Sequence, residues 1–264
     1  MLIICNGAFK SGSSWLHAVL IELLKVQHIQ LSRIPDSYTN DINSPTKIIE
    51  SKLDDFVLNE SFDNRTYITK SHFFKESTLS SPYPENVKFI FVERDMKDAI
   101  VSHYYHIRHK FRIGLGFNLY YQVLGKYKAY EIYLFNKRCK RYFGEDNFIS
   151  YHDLKNRFSD SIERLCQILD LDKLDSSQSK DLMNETTIEK LREKSRTGQS
   201  EYYPSKRKDN WRQFRKGKEG DWVNYFSDQN LLHIKRTEEG KMSVSLKMVY
   251  FILFTLRRIL GRIE

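Results

Sequence analysis

The sequence predicts an α/β fold: a single three-layer domain with a mostly parallel central sheet flanked by helices. Two observations carry the prediction. Residues 2–5 and 87–92 form short, nearly continuous apolar runs, the pattern of parallel strands covered on both faces. Stretches with apolar residues at helical spacing follow such runs, so strands and helices alternate along the chain. Composition agrees: of 264 residues, 40% are hydrophobic and 29% charged, which excludes a disordered chain and leaves ample material for a core. No internal repeat and no linker stands out.

Taken in order, residues 2–5 are a strand that Asn6 and Gly7 end. From Ser13 the apolar residues Leu16, Val19, Leu20, Leu23 and Leu24 mark one face of a helix. A further strand is expected over 28–34, a polar loop over 36–45 and a helix over 47–58. Residues 66–70 alternate as a strand does and run into Ser71, His72, Phe73 and Phe74. Pro82 and Pro84 mark a loop. The strand over 87–92 ends at Glu93-Arg94-Asp95, where Asp95 is placed to cap a helix through about Lys110. A long helix is expected over 118–141, a strand over 147–151 and a helix from there to about Leu169.

The loop between the first strand and the first helix organises the rest. It carries Gly7, Lys10, Ser11, Gly12, Ser13 and Ser14. N–H groups at a helix start lack intrahelical partners and carry partial positive charge. Glycine lets that backbone approach a ligand, and the serines and Lys10 add donors, so the loop reads as a P-loop-like cradle for phosphate or sulfate. Gly7 and Gly12 have the spacing of a Walker A loop, but Ser13 stands where that motif needs its lysine, and the chain's lysine, Lys10, lies inside the loop. An ordinary nucleotide triphosphatase or kinase is therefore disfavoured. A small polar turn with no ligand remains the plain alternative. Ligands of parallel sheets bind at the carboxyl ends of strands, and that is where Lys10, then Lys70 and His72, then Arg94, then Tyr151 fall.

A net charge of +9 favours an anionic partner: a phosphorylated cofactor, nucleic acid, an acidic glycan or a membrane surface. Residues 204–218 concentrate it, and such a run by itself is a solvated face or a nucleic-acid patch. Cys5, Cys139 and Cys166 are far apart, with neither metal spacing nor a disulfide framework, and the first residues do not read as a signal peptide. A cytoplasmic location is expected.

Four stretches together resemble the cytosolic-type sulfotransferases, which use 3′-phosphoadenosine 5′-phosphosulfate (PAPS). They are Phe9-Lys-Ser-Gly-Ser-Ser-Trp15, Lys70-Ser-His72, the segment from Phe91 to His106, and Arg215-Lys-Gly-Lys-Glu-Gly-Asp-Trp222, of which the last is the most specific. The resemblance implies PAPS as donor, 3′-phosphoadenosine 5′-phosphate (PAP) as product, and no metal. It implies that Lys10, Ser11, Gly12, Ser13 and Ser14 hold the 5′-phosphosulfate. Trp15, Tyr151 and Thr186 contact adenine, and Arg94, Ser102, Arg215, Lys216 and Gly217 hold the 3′-phosphate. His72 is the catalytic base, Lys10 stabilises the leaving oxygen and Lys70 assists. The basic run then serves the cofactor, and no nucleic-acid partner is implied. His103 and His106 share a helix face but lack a third ligand, and read as surface or acceptor-pocket residues. The sulfuryl group is expected to pass to an acceptor hydroxyl or amine, and the acceptor is open: a small phenol or alcohol, a saccharide or a glycolipid.

The resemblance runs from residue 1 to about residue 230, and the domain it implies is expected over 1–242. Residues 243–264 read as a separate helical extension, apolar from Met248 to Leu256 and flanked by Lys247, Arg257, Arg258 and Arg262. Such a segment docks on the domain, on a second subunit of a homodimer, or peripherally on a membrane near a glycolipid acceptor.

Overall fold

The computed structural model describes residues 1–39, 47–60, 62, 64–112, 114–197 and 217–260, and side chains as far as Ile252 in the last helix. Four strands, β1 (Leu2–Gly7), β2 (Tyr67–Ser71), β3 (Val87–Glu93) and β4 (Phe148–Ser150), form one sheet in the order β2-β1-β3-β4. Every pairing is parallel, with Cys5 beside Lys70 on one side and Ile90 on the other. The chain leaves β1 for one neighbour and later returns to the other, which opens a crevice at the carboxyl end of β1.

The helices are α1 (Ser13–Val26), α2 (Leu53–Asn59), α3 (Glu76–Leu79), α4 (Met96–Phe111), α5 (Phe117–Tyr120), α6 (Lys126–Phe143), α7 (Tyr151–Asn156), α8 (Phe158–Leu169), α9 (Ser176–Glu185), α10 (Ile188–Thr197), α11 (Asp228–Glu238) and α12 (Val244–Leu260). They and the strands group into two compact units, Met1–Asp95 with Asn136–Glu219, and Met96–Phe135 with Gly220–Glu264.

The first unit holds the sheet. Ile3 and Cys5 of β1 pack with Leu16, Leu20, Leu23 and Leu24 of α1, Ile90 and Val92 of β3, and Ile162 and Leu165 of α8. Each fully buried aliphatic side chain contributes about 1.5–3 kcal/mol. The apolar face of α1 that the sequence spacing marks is the face that meets the sheet.

The second unit holds the aromatic cluster. Phe117 packs on Tyr104, Tyr225 and Phe226 with ring centroids 5.3, 5.4 and 5.1 Å away. The Tyr121 hydroxyl meets His233 Nδ1 at 2.9 Å, and burial lowers the pKa of His233, with Lys126 and Arg236 adding to the effect.

Three local expectations change. No full strand forms over 28–34: Leu31 makes a single bridge to Thr66. His28 has already turned left-handed (φ 55°) where α1 ends. The expected helix over 118–141 is interrupted by a π-turn, Tyr121–Gly125, in which the Tyr121 ring lies against Gly125. A Cβ at Gly125 would sit 2.6 Å from that ring. The strand expected over 147–151 stops at Ser150, because the Ser150 hydroxyl accepts a hydrogen bond from Asp153 N at 3.3 Å and caps α7, whose first residue is Tyr151.

Candidate active site

The loop after β1 turns back on itself before α1 begins. Ser11 donates from both its N–H (3.0 Å) and its hydroxyl (2.7 Å) to the Ala8 carbonyl, so its side chain builds the turn. Lys10 has a left-handed backbone, φ 72°, and Gly12 follows at φ 107°. Among the described residues no side chain caps α1, and no acidic residue lies in its first turn to offset its positive end. Lys70 reaches the same end and donates to Ser14 Oγ at 3.0 Å. Behind the loop, burial pushes the Cys5 thiol up to about 12 and brings His17 down to about 3, the latter helped by Lys70. Both groups stay neutral at pH 7, so the loop's charge comes from its lysines and the helix end.

Tyr151 joins the loop to its neighbours. Its ring takes the space where a Gly12 Cβ would stand, 2.6 Å from Tyr151 Cδ2. The same ring meets Trp15 edge-on at 5.1 Å and lies under the Arg94 guanidinium at 4.3 Å. Trp15 donates its indole N–H to the Thr186 carbonyl at 2.8 Å, while the Thr186 hydroxyl donates to Leu182 O at 2.8 Å, so Thr186 is buried and committed to the end of α9. Trp15 thus touches both Tyr151 and Thr186, the other two residues expected at the adenine.

His72 follows β2 directly. Its Nδ1 lies 2.6 Å from the Gly7 carbonyl. A carbonyl only accepts, so Nδ1 carries a proton; when the ring is neutral the lone pair is then on Nε2. Phe9 packs edge-on against the ring at 5.5 Å. The imidazole is therefore held against the strand end from which the loop departs.

Arg94, at the end of β3, donates to the Lys218 carbonyl at 3.1 Å, and its buried Nε has no hydrogen-bond partner among the described residues. Gly217, with φ 60°, is held by Lys155, which donates to its carbonyl at 2.7 Å. Arg215 and Lys216 lie outside the described residues. Ser102 belongs to the second unit, buried on α4. In that unit Asp98 accepts from Gly220 N at 2.8 Å and Lys97 lies 4.6 Å from the Trp222 ring, so the Gly-Asp-Trp end of the basic motif docks on α4. Among the described residues no group of three or more His, Cys, Asp or Glu side chains could hold a metal ion.

Within the first unit the structure thus brings together the loop from Lys10 to Ser14, Trp15, Lys70, His72, Arg94, Tyr151, Thr186 and Gly217. Two residues that sequence reasoning passed over also belong to the site. Lys155, four residues after Tyr151, grips Gly217, and Asn6 binds the backbone beside His72. A cation one helical turn beyond Tyr151 was a visible signal for the first. Nothing local marks the second.

Comparison with known proteins gives one consistent result. Residues 2–245 match the family described as the sulfotransferase domain. Flavonol 3-sulfotransferase of Flaveria bidentis is 24% identical over 264 residues, covering 89% of this chain and 80% of the relative. Flavonol 4′-sulfotransferase of Flaveria chlorifolia is 24% identical over 255 residues, covering 89% and 77%. Among solved structures, mouse sulfotransferase SULT7A1 complexed with PAP aligns with a TM-score of 0.63 at 19% identity, covering 94% of this chain and 87% of that one. Retinol dehydratase in complex with androsterone and PAP aligns at 0.58 and 15% identity, covering 92% and 81%.

Proposed function

The chain belongs to the sulfotransferase domain family, and from that membership we propose that it moves a sulfuryl group from PAPS to a hydroxyl of a small-molecule acceptor. One observation supports this reading above the rest: an imidazole, His72, is anchored on the same strand end from which the loop into α1 departs. The donors suit a doubly phosphorylated nucleotide. The N-terminus of α1, Lys10, Ser14 and Lys70 suit the phosphosulfate, and the unpartnered Nε of Arg94 is a donor in want of a second anion. Trp15 and Tyr151 offer aromatic faces between the two.

The reaction is an in-line displacement at sulfur. His72 Nε2 takes the proton of the acceptor hydroxyl as the new S–O bond forms. Lys10 neutralises charge growing on the bridging phosphate oxygen as it leaves, and the N–H groups opening α1 face the equatorial oxygens. Lys70 holds Ser14 toward the same group. The flavonol sulfotransferases among the relatives favour a phenolic acceptor for this chain too. Isothermal calorimetry with PAP should give one saturable site, and 35S-labelled PAPS should label a hydroxylated acceptor in a panel of flavonols, simple phenols, sterols, saccharides and glycolipids. A flat calorimetric trace would overturn the reading.

The acceptor's setting is the second part of the proposal. No described helix is long and apolar enough to cross a membrane. Helix α12 nevertheless exposes Val244, Met248, Phe251 and Ile252, while Tyr250 turns to Tyr130 of α6 at 4.9 Å between ring centroids. The exposed residues recur at helical spacing, Lys247 stands among them, and Arg257, Arg258 and Arg262 follow in sequence. An apolar stripe in a segment rich in cations suits the surface of an anionic bilayer. Full-length protein should co-sediment with vesicles containing phosphatidylserine, and Phe251→Glu with Ile252→Glu should abolish this while leaving turnover of a soluble acceptor unchanged. Equal recovery of the wild type with and without vesicles would refute the contact.

A further inference from the structure

The site contains a residue whose function is to hold the base. Asn6, the next-to-last residue of β1, is completely buried. Its Oδ1 accepts from Gly7 N at 3.0 Å and from Phe73 N at 2.9 Å, and its Nδ2 donates to Phe73 O at 3.1 Å. Two donors converge on one atom and an acceptor on the other, so the network sets the orientation of the amide. Asn6 thus binds both backbone groups of Phe73, as a neighbouring strand would, at the point where β2 has ended. Its backbone neighbour Gly7 supplies the carbonyl that His72 Nδ1 donates to.

Beyond Phe73 the grip passes to other side chains. Glu50 accepts from Phe74 N and Lys75 N, both at 2.7 Å, and Arg138 donates to Phe74 O at 2.8 Å while lying over the Phe74 ring. These hold the segment after His72, but neither touches the residues on either side of the imidazole. Asn6 binds Phe73 on one side of His72 and Gly7, which bears the carbonyl that His72 meets. The geometry points to Asn6 as the positioning residue of the reaction: it locks the segment after β2 to the end of β1 so that His72 keeps Nδ1–H on Gly7 and turns the Nε2 lone pair toward the acceptor. This rests on His72 being the base. The amide does not touch the reacting atoms and acts only through the imidazole.

The test reads the imidazole and the reaction separately. In wild-type protein, 15N spectra of the His72 ring should show the single Nδ1–H tautomer. In Asn6→Ala they should show a mixture, with kcat lowered roughly 10- to 100-fold, because small misplacements of reacting groups cost that much. KM for PAPS and the Kd of PAP should stay within about twofold, since Asn6 makes none of the phosphate contacts. Asn6→Asp keeps both bonds to Oδ1 but sets an acceptor oxygen against Phe73 O where the donor stood, so it loosens the same clamp and should give the same shift, a second variant if the alanine variant is unstable. An unchanged ring spectrum in these variants, or a fall in PAP affinity that matches the fall in kcat, would overturn the assignment. Should His72→Ala retain turnover, the base itself is misassigned, yet the tautomer shift in the Asn6 variants would still be seen, so the two failures are distinguishable.

Discussion

His72→Ala is expected to lower kcat by about 10²- to 10⁴-fold, the range a positioned general base contributes. PAP affinity should change by no more than about twofold, because the imidazole's hydrogen bond is to the Gly7 carbonyl and the phosphate donors are other groups. Stability should fall only slightly. The substitution removes the hydrogen bond to the Gly7 carbonyl and the edge contact with Phe9 from a partly exposed ring. His72→Gln separates geometry from basicity: its amide can still donate to the Gly7 carbonyl, yet it takes no proton at neutral pH. It should be as inactive as the alanine variant. Single-turnover kinetics with PAPS and a phenolic acceptor measure both. Turnover within tenfold of wild type in either variant would remove His72 from the chemistry.

Lys10→Ala is the second large effect. A cation at the leaving oxygen acts mostly in the transition state, so kcat should fall by about 10²- to 10³-fold and cofactor affinity far less. The backbone makes the test more discriminating. Lys10 holds φ 72°, a left-handed conformation that costs a residue with a side chain roughly 1–2 kcal/mol. Alanine retains that cost and glycine does not. Lys10→Gly should therefore melt higher than Lys10→Ala while being equally slow. If both variants turn over as fast as the wild type, the loop's strain serves only the turn. Such strain at a loop residue is a common mark of a functional site.

Much of this was legible from the chain alone. The apolar run of β1, the break at Asn6-Gly7 and the helical spacing from Ser13 specify strand, loop and helix through local periodicity, and the parallel sheet follows from the alternation of such units. The positions of Lys10, Lys70, His72 and Arg94 at strand ends came from the same reading, because a strand's end is visible where its apolar run stops. Only the tertiary structure decided the strand order, the place of Tyr151 at the first turn of α7 with its ring against Gly12, the indole bond from Trp15 to Thr186, and the clamp from Asn6 to Phe73. The reason is physical: these are contacts between residues tens to more than a hundred positions apart. A hydrogen bond across such a distance needs only one donor and one acceptor brought together by the fold, and it leaves no period, spacing or composition behind in the sequence.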